Sequence, residues 1–314
     1  MKAMILAAGK GTRLLPLTHV LPKCLMPVCN QTLLNLAINK ARQLGAEQIV
    51  INTHYLADKV YDWLSKQQHE NLEINISYEP ELLGTGGALI KARENFIEPF
   101  WLLNADIVSN CRLEPLQVAL AEHKALACLG LINEPRFNSV AVNGLYVQGV
   151  KGYGQTKNLD GPFYTYTGLA FISPRLLNYL PEQGPSNLVD AWIAAINNGE
   201  KILGLQLTGY WNDLGTWQEL WQTQALIMRE KLSGILPEEI ESPVLRSANV
   251  FLDQSATIKG FAVLGKNVVI ENEVCISDSI LLDGTRIKTG SIIKHSIIGP
   301  NFIAQGEYTH GAFA

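Results

Sequence analysis

The sequence predicts an α/β domain followed by a coil of short parallel strands, and two patterns lead to this fold class. Segments typical of strands and helices alternate through the first half of the chain, as in crossover units that build a parallel sheet. Beyond residue 125 the strand segments become denser, which indicates a mixed sheet. Near the end of the chain an aliphatic residue recurs at every sixth position, a period that fits neither a helix nor an ordinary strand.

The alternating segments define the first domain. AMILAA (3–8) is a compact apolar strand, and the segment 31–45 carries apolar residues at helical spacing before it stops at Gly45. Further strands are predicted at 48–52, 72–79 and 100–106, and further helices at 57–67, 86–95, 187–199 and 217–231. This order predicts a Rossmann-like, mixed but mostly parallel sheet that is flanked by helices.

Two aliphatic rows with a step of six define the C-terminal region. The rows are Leu252, Ile258, Leu264, Ile270, Ile276 and Leu282, and Val250, Ala256, Ala262, Val268, Val274 and Ile280. The register slips by one after Leu282 and resumes at Ile287 and Ile293. Hexapeptide repeats of this kind predict a parallel β-helix with three hexads in each coil, and the tract resembles the left-handed β-helix family.

The change of pattern predicts the domain boundaries. The segment SGILPEEIESP (233–243) carries two prolines and several glutamates, which is typical of a linker. We therefore predict an α/β domain at 1–232, a linker at 233–246 and the β-helix at 247–314.

Composition excludes several classes of protein. The formal net charge of −4 gives no reason to expect a nucleic-acid partner, so an anionic ligand has to be met by a local group of cations. No apolar run approaches the ~20 residues needed to span a bilayer, and the N-terminal apolar run is too short for a signal peptide, so we expect no membrane partner and a cytoplasmic location. The five cysteines form no CxxC pair and are expected to be reduced.

The stretch ILAAGKGTRLLPLTHVLPKCLMPV (5–28) carries the first chemical signal. It fits neither the Walker loop nor the GxGxxG fingerprint, since Leu14 stands where the third glycine belongs. Glycines after a strand let backbone N–H groups approach phosphate oxygens, Arg13 can offer a bidentate charged fork, and Lys23 adds a point charge. Taken alone, the pattern also fits a strand–loop–helix corner with two solvated cations.

The whole stretch resembles the signature of the sugar-1-phosphate nucleotidyltransferases, roughly L-[AG]-[AG]-G-x-G-T-R-[LM]-x-P-L-T followed by P-K-x-x-x-P-[VI]. The resemblance implies that Arg13 and Lys23 are catalytic. It also implies that the nucleotide is bound by residues of the first strand end and glycine loop, namely Leu6, Ala7, Ala8, Gly9, Gly11 and Thr12.

Three further segments occur in the order found in that family. ELLGTGGAL (81–89) is similar to the base-recognition turn, so backbone groups of Gly86 and Gly87 are expected to contact the edge of the nucleobase, and Gly84 and Thr85 are also expected to bind the nucleotide. WLLNADI (101–107) is similar to the strand that places Asn104 near the nucleotide and ends in the metal-binding Asp106. YWNDLGTW (210–217) is similar to the motif with the second metal-binding residue, Asp213, so the cofactor implied is Mg²⁺. The sugar-binding residues expected from the resemblance are Thr167, Gly168 and Asp190.

Two departures from the family pattern concern the metal strand and the sugar pocket. Ala105 replaces the usual glycine before the metal aspartate, a small change. No V-E-K-P segment, whose Glu and Lys hold the sugar phosphate in many members, is found between 130 and 165, and Lys151 is the nearest basic candidate.

The resemblance implies that an NTP and a sugar-1-phosphate are converted to an NDP-sugar and pyrophosphate. Mannose-1-phosphate with GTP is the favoured pair, and UTP or dTTP with a hexose or muramyl phosphate is the alternative. Two other readings remain: a non-catalytic regulatory paralogue that binds sugar nucleotides, and a second acyl-transfer activity using His295 in the repeats. We also expect a homo-oligomer formed through the β-helix.

Overall fold

The computed structural model describes residues 1–68, 71–154, 159, 161–230, 232, 234–236 and 242–314. The chain divides into two compact units. Unit 1 consists of Met1–Gly9, Ala37–Ala57 and Tyr61–Trp211, and unit 2 of Lys10–Leu36, Asp58–Val60 and Asn212–Ala314. The predicted linker lies partly outside the described residues, at 233 and 237–241.

The elements alternate through the first half of the chain, as predicted. The described helices are α1 (Leu33–Gln43), α2 (Ala57–Ser65), α3 (Gly84–Lys91), α4 (Glu114–His123), α5 (Leu188–Asn197) and α6 (Trp217–Glu230). The strands before the repeats are β1 (Lys2–Leu6), β2 (Pro27–Val28), β3 (Gln31–Thr32), β4 (Gln48–Thr53), β5 (Glu73–Tyr78), β6 (Phe100–Asn104), β7 (Ile107–Ser109), β8 (Ala127–Ile132), β9 (Val140–Asn143), β10 (Tyr146–Val150), β11 (Phe163–Ile172), β12 (Ile202–Gln206) and β13 (Trp211–Asp213).

The strands of the repeat region are short, as the hexapeptide period predicts. They are β14 (Val244–Arg246), β15 (Phe251–Leu252), β16 (Thr257–Leu264), β17 (Val269–Ile270), β18 (Cys275–Leu281), β19 (Arg286–Ile287), β20 (Ile292–Lys294), β21 (Ile297–Ile298), β22 (Ile303–Ala304), β23 (Glu307–Thr309) and β24 (Ala312–Phe313). The first of them, β14, lies inside the segment predicted as linker.

Unit 1 is built on a nine-stranded sheet with the order β5-β4-β1-β6-β11-β8-β12-β10-β9. The half formed by β5, β4, β1 and β6 is parallel, whereas β11 runs antiparallel to both β6 and β8, and β9 and β10 form an antiparallel pair. The mixed α/β fold is therefore confirmed. The expectation of a mostly parallel sheet holds for the N-terminal half and for the pair β8–β12, which has α5 before its second strand. Strands β8 to β11 follow one another with no helix between them among the described residues, and their pairings are antiparallel.

The core of unit 1 sits on this sheet. Fully buried residues of β1, β6 and β11 pack with α3 and α5, and Trp192 of α5 contacts the ring of Tyr166 edge-on at a centroid distance of 5.0 Å. Because each residue in a strand pair faces its partner, the register Leu6↔Asn104 brings the carboxyl ends of β1 and β6 to the same edge. The polar loops that follow those two strands therefore lie at one edge of the sheet.

Unit 2 contains a parallel coil of the short strands. Thr257 pairs with Cys275, Cys275 with Ile292, and Ile292 with Glu307, so successive coils take 18, 17 and 15 residues. The second stack, β15-β17-β19-β22, is also parallel throughout. The interior of the coil is aliphatic, since Leu264, Ile270 and Ile276 are fully buried there.

The structure corrects the position of the register slip. Leu281, not Leu282, pairs with Leu264 and joins the interior cluster. The reason is an irregularity in β16: the partners of Lys259 and Ala262 in β18 are Ser277 and Ser279, so β16 carries one extra residue at Gly260–Phe261. The coil shortens between Ser277 and Ser279, so the slip precedes Leu282 and does not follow it.

Helix α6 packs on the repeat coil within unit 2. The indole Nε1 of Trp221 donates to the backbone oxygen of Asp278 over 2.7 Å, and the ring lies 5.7 Å from Phe261 and 5.5 Å from His295. Arg229 pairs with the Asp278 carboxylate at 2.7 Å. The loop 10–36 is attached as well: Asn30 Nδ2 donates to the Leu264 carbonyl over 3.1 Å.

Two further features bear on the sequence expectations. All five cysteines are free thiols, and burial raises the pKa of Cys29 and of Cys128 to about 12, so both thiols stay protonated near neutral pH. Across the part of the chain that the structure describes, every helix is too short or too polar to cross a bilayer.

Candidate active site

The glycine loop after β1 is held in shape by its own residues. Gly11 has a left-handed φ of 64°, and a Cβ at this position would lie 2.9 Å from Thr18 Cγ2 and 3.0 Å from Lys23 Cβ. The Thr18 hydroxyl donates to the Gly11 carbonyl over 2.9 Å, which closes the loop. Gly11 is therefore needed both for its backbone conformation and for the close approach of Lys23.

The two predicted cations of the loop meet one predicted carboxylate within unit 2. Arg13 Nη2 lies 3.7 Å from Asp213 Oδ2, and Lys23 Nζ lies 3.4 Å from Asp213 Oδ1. The Arg13 side chain is 58% exposed, whereas that of Lys23 is 11% exposed. The lysine is thus set into the protein, and the arginine presents its guanidinium to solvent beside the same carboxylate.

The start of α6 fixes the segment that carries Asp213. The Glu219 carboxylate accepts hydrogen bonds from the backbone N–H groups of Gly215 (3.1 Å) and Thr216 (2.9 Å), and the Thr216 hydroxyl accepts from the Glu219 N–H at 3.2 Å. This reciprocal arrangement is a capping box, in which each side chain satisfies N–H groups of the first helical turn. The glycine and threonine of the W-x-D-x-G-T motif therefore have structural roles in this chain.

The ends of β1 and β6 gather the predicted nucleotide-binding residues of unit 1. The Ala105 N–H donates to the Leu6 carbonyl over 3.0 Å, which extends the pairing of β1 and β6 by one bond. Asp106 follows on the turn between β6 and β7 and is partly exposed. Ala8 is buried, and Gly9 is exposed with open space where a Cβ would point.

A buried carboxylate that was not predicted from the sequence, Glu79, connects two loops at this edge of the sheet through hydrogen bonds. Glu79 is fully buried, and its two oxygens accept from Asn52 Nδ2 (2.8 Å) and from the Leu83 N–H (3.0 Å). Asn52 Oδ1 in turn accepts from the Ala7 N–H over 2.8 Å. The chain after β1 and the turn before α3 are thereby linked through two side chains. The available signal was a polar residue as the last residue of each of two predicted strands, 48–52 and 72–79.

The glycines of α3 are required by close packing against residues 180–186. The N–H groups of Gly86 and Gly87 both donate to the Ser186 carbonyl, at 2.9 and 3.4 Å, and a Cβ on Gly84 would lie 2.6 Å from that oxygen. The exposed Thr85 accepts from the Leu188 N–H at 2.9 Å and so caps α5. The predicted contact of these glycines with a nucleobase stays a prediction, and their N–H groups already have protein partners.

The three tentative sugar-binding residues lie in different environments of unit 1. Thr167 is fully buried, and its hydroxyl donates to the Gly130 carbonyl over 2.8 Å. Gly168 has φ 76°, and a Cβ there would lie 2.7 Å from Asn104 Nδ2, so Asn104 and Gly168 are in contact. Asp190 is exposed in the first turn of α5.

The structure thus groups the predicted residues within each unit. Unit 2 brings Arg13, Lys23 and Asp213 together, and unit 1 brings Leu6, Asn104 and Gly168 together. The buried Thr167 hydroxyl donates to a backbone carbonyl, and its predicted contact with the sugar stays a prediction.

The two basic residues that the sequence left as open candidates are also placed. Lys151 is exposed on the turn after β10. His295 lies at a corner of the coil with φ 46°, its ring stacked on His310 at 5.0 Å and its Nε2 atom 3.7 Å from Asp278 Oδ2.

Within unit 2 a glycine loop presents an arginine and a lysine beside a carboxylate, an arrangement of charges that suits a phosphate group. Residues 2–136 match the family model described as nucleotidyl transferase, and residues 240–306 match the model of the GMPPB C-terminal domain. Residues 2–136 therefore carry a nucleotidyl transferase domain, and the homologues of the chain are sugar-1-phosphate nucleotidyltransferases.

Individual relatives resemble the chain over nearly its full length. It is 29% identical to mannose-1-phosphate guanylyltransferase 1 of Arabidopsis thaliana, with 95% of this chain and 86% of the relative covered. It is 28% identical to the bifunctional protein GlmU of Methanococcus maripaludis, with 96% and 78% covered. Among solved structures, the UDP-glucose pyrophosphorylase of Acinetobacter baumanii has a TM-score of 0.60 at 20% identity and covers 74% of this chain and 95% of its own, which shows a shared fold.

Proposed function

We propose that the protein is a sugar-1-phosphate nucleotidyltransferase that forms an NDP-sugar and pyrophosphate from an NTP and a sugar-1-phosphate. The observation that carries the proposal is the meeting of Arg13 and Lys23 at Asp213, in a loop that belongs to the nucleotidyl transferase match. In this reaction an oxygen of the sugar phosphate forms a bond to the α-phosphorus. The bond from the α-phosphorus to the bridging oxygen breaks, and pyrophosphate leaves in line.

Charge neutralisation is the main task of the protein, because one anion attacks another. Arg13 is exposed and planar, so it suits the departing pyrophosphate, which two parallel hydrogen bonds can hold. Lys23 is set deeper and offers a point charge to the α-phosphoryl oxygens. No general base is needed, since a phosphate monoester is ionised near neutral pH.

The donor set fits Mg²⁺ as the implied cofactor. Mg²⁺ is usually held by one or two carboxylates together with phosphate oxygens and waters, so a cluster of three protein ligands is not required. Among the described residues no group of three or more histidine, cysteine, aspartate or glutamate side chains is placed to hold a metal, whereas Asp106 and Asp213 are partly exposed carboxylates. We propose that these two aspartates hold Mg²⁺, which when bound would neutralise phosphate charge.

The favoured substrates are GTP and mannose-1-phosphate. The support is the 29% identity with the Arabidopsis guanylyltransferase over nearly the whole chain and the match of the C-terminal repeats to the GMPPB C-terminal domain. A grid of GTP, UTP, dTTP, ATP and CTP against hexose- and muramyl-1-phosphates, scored by pyrophosphate release, tests the proposal. GTP with mannose-1-phosphate should give the highest rate. Release with no pair would refute an active enzyme and favour a regulatory paralogue.

Two variants test the proposed roles. Asp106→Asn should abolish turnover while the far-UV spectrum and thermal midpoint stay unchanged, and Asp62→Asn, an exposed aspartate of α2, is the control. Arg13→Ala should lower kcat roughly 100-fold or more, by analogy with removal of one transition-state hydrogen-bond donor, and Arg42→Ala is its control. Near-normal activity of Asp106→Asn would overturn the metal assignment.

Three further expectations belong to the same proposal. We expect the repeat coil to be left-handed, the protein to form a homo-oligomer through its repeats, and the enzyme to act in the cytoplasm. Acyl transfer by His295 receives no support from its surroundings, because the ring is packed between Trp221 and His310.

A further inference from the structure

Gly215, two residues after Asp213 in the W-x-D-x-G-T motif, lies directly against the Arg13 side chain. A Cβ built on Gly215 would be 2.5 Å from Cζ, Nη1 and Nη2 of Arg13. Three equal distances mean that the flat face of the guanidinium covers the Gly215 Cα. At 2.5 Å the two groups cannot coexist, so an alanine here and the observed arginine position exclude each other.

The position of Gly215 is fixed by other groups. Its N–H donates to the Asp213 carbonyl over 2.9 Å and to Glu219 Oε2 over 3.1 Å. Gly215 has no φ in the left-handed region, so its backbone conformation does not itself require glycine. The missing side chain is therefore explained by the guanidinium, not by the turn.

We propose that Gly215 is a positioning residue. Because Gly215 has no side chain, the Arg13 guanidinium packs against its backbone and is held beside Asp213, in position to bind the triphosphate. The inference rests on the proposed function, because it takes Arg13 to be a residue that meets the nucleotide phosphates. A methyl group at Gly215 displaces only the far end of a flexible, 58% exposed side chain. The fold should therefore accept the change while Arg13 loses its orientation.

The test measures binding of inorganic tripolyphosphate by calorimetry in a buffer with EDTA, so that neither the nucleobase nor a metal enters. Four proteins form a double-mutant cycle: the parent, Gly215→Ala, Arg13→Ala, and Arg13→Ala with Gly215→Ala. We expect Arg13→Ala to weaken binding roughly 10-fold and Gly215→Ala about 3- to 10-fold, as for loss of a charge-assisted hydrogen bond. The double variant should bind within about twofold of Arg13→Ala, because the two changes act through one group.

Thermal unfolding of the same four proteins separates positioning from a general structural need. In the parent, Gly215→Ala should lower the unfolding midpoint, because the methyl group clashes with the guanidinium. In the Arg13→Ala background the same change should leave the midpoint unchanged, because the methyl group fills the space that the guanidinium has left. If Gly215→Ala alone fails to fold but the double variant folds, the steric pairing is supported. If both fail to fold, Gly215 has another role and the inference is wrong.

The outcomes distinguish the inference from the proposed function. If Arg13→Ala binds tripolyphosphate as tightly as the parent, the assigned role of Arg13 fails and the inference fails with it. If Arg13→Ala weakens binding but Gly215→Ala does not, the proposed function stands and the positioning role of Gly215 is refuted. A loss from Gly215→Ala that persists in the Arg13→Ala background also refutes it.

Discussion

Replacing Asp213 by asparagine should have opposite effects on two measurements. In the structure this carboxylate pairs with Lys23 at 3.4 Å and with Arg13 at 3.7 Å, so an incoming triphosphate has to compete with it for both cations. Asp213→Asn keeps the shape of the side chain and removes the charge. Tripolyphosphate binding without metal should become tighter, whereas turnover with Mg²⁺ and both substrates should be lost.

The size of the gain follows from the exposure of the three groups. Exposed ion pairs contribute about 0.2–1 kcal/mol each, and the Lys23 side chain, 11% exposed, belongs near the upper end of that range. Two pairs together give ~1–2 kcal/mol, which corresponds to roughly 5- to 30-fold in the dissociation constant. The gain should shrink at high ionic strength, because Arg13 is 58% exposed and salt screens its charge.

The assay is calorimetric titration with tripolyphosphate in EDTA at low and high salt, with Asp62→Asn as the control for loss of one negative charge elsewhere. Unchanged or weaker binding of Asp213→Asn at low salt would show that the resting pairs do not oppose phosphate binding. Retention of Mg²⁺-dependent turnover would separately contradict the proposed metal role.

Three further predictions concern stability. Glu79→Gln should lower the free energy of unfolding by about 1–3 kcal/mol, because a buried acceptor of two hydrogen bonds becomes partly a donor. The side-chain hydrogen bond from Lys288 lowers the pKa of Glu271 from 4.5 to about 2, so the stability it provides is present above pH 4.5 and is lost as pH falls towards 2; Glu271→Gln should flatten that part of the acid dependence. Trp221→Ala should cost about 2–4 kcal/mol, since it removes ring contacts and the bond to Asp278.

All three predictions are tested by the free energy of unfolding in urea, measured at pH 7 and, for the Glu271 variant, at several pH values. The matched controls are Glu81→Gln and Glu273→Gln, which change exposed carboxylates, and Trp221→Phe, which keeps a ring but loses the indole N–H. A cost for Glu79→Gln no larger than that of Glu81→Gln would contradict the role of the buried carboxylate. Equal acid dependence of Glu271→Gln and the parent would contradict the assigned pKa.

The parts of the fold that follow from local periodicity could be predicted from the sequence. Six-residue spacing predicts the coil because each inward position needs an aliphatic side chain. Alternating segments predict the mixed α/β class, and the strand order of the sheet confirms it. The slip was predicted after Leu282 but lies before Leu281, because the two leucines are equally aliphatic and only the irregularity in β16 selects between them. Likewise, nothing in the spacing of strands reveals which later strands run antiparallel.

Site residues could be predicted from the sequence where a motif specifies the residue types. They could not be predicted where the role of a residue depends on which distant side chain packs against it. The motifs singled out Arg13, Lys23 and Asp213, and the structure brings these three together. They gave no reason for the glycine at 215, which depends on a side chain about 200 residues earlier in the chain. Glu79 was missed because a buried glutamate after a strand looks like an ordinary exposed one until its partners are known.

The attachment of the loop 10–36 to unit 2 has a consequence for how this chain can be shortened or fused. Asn30 is held by the carbonyl of Leu264, and the Cys29 N–H is held by the side chain of Gln224 in α6, over 2.9 Å. A fragment cut at the predicted boundary, residue 232, would keep the bond to Gln224 but lose the bond from Asn30 to Leu264. A chain without the repeats therefore loses part of the support of the loop that carries Arg13 and Lys23.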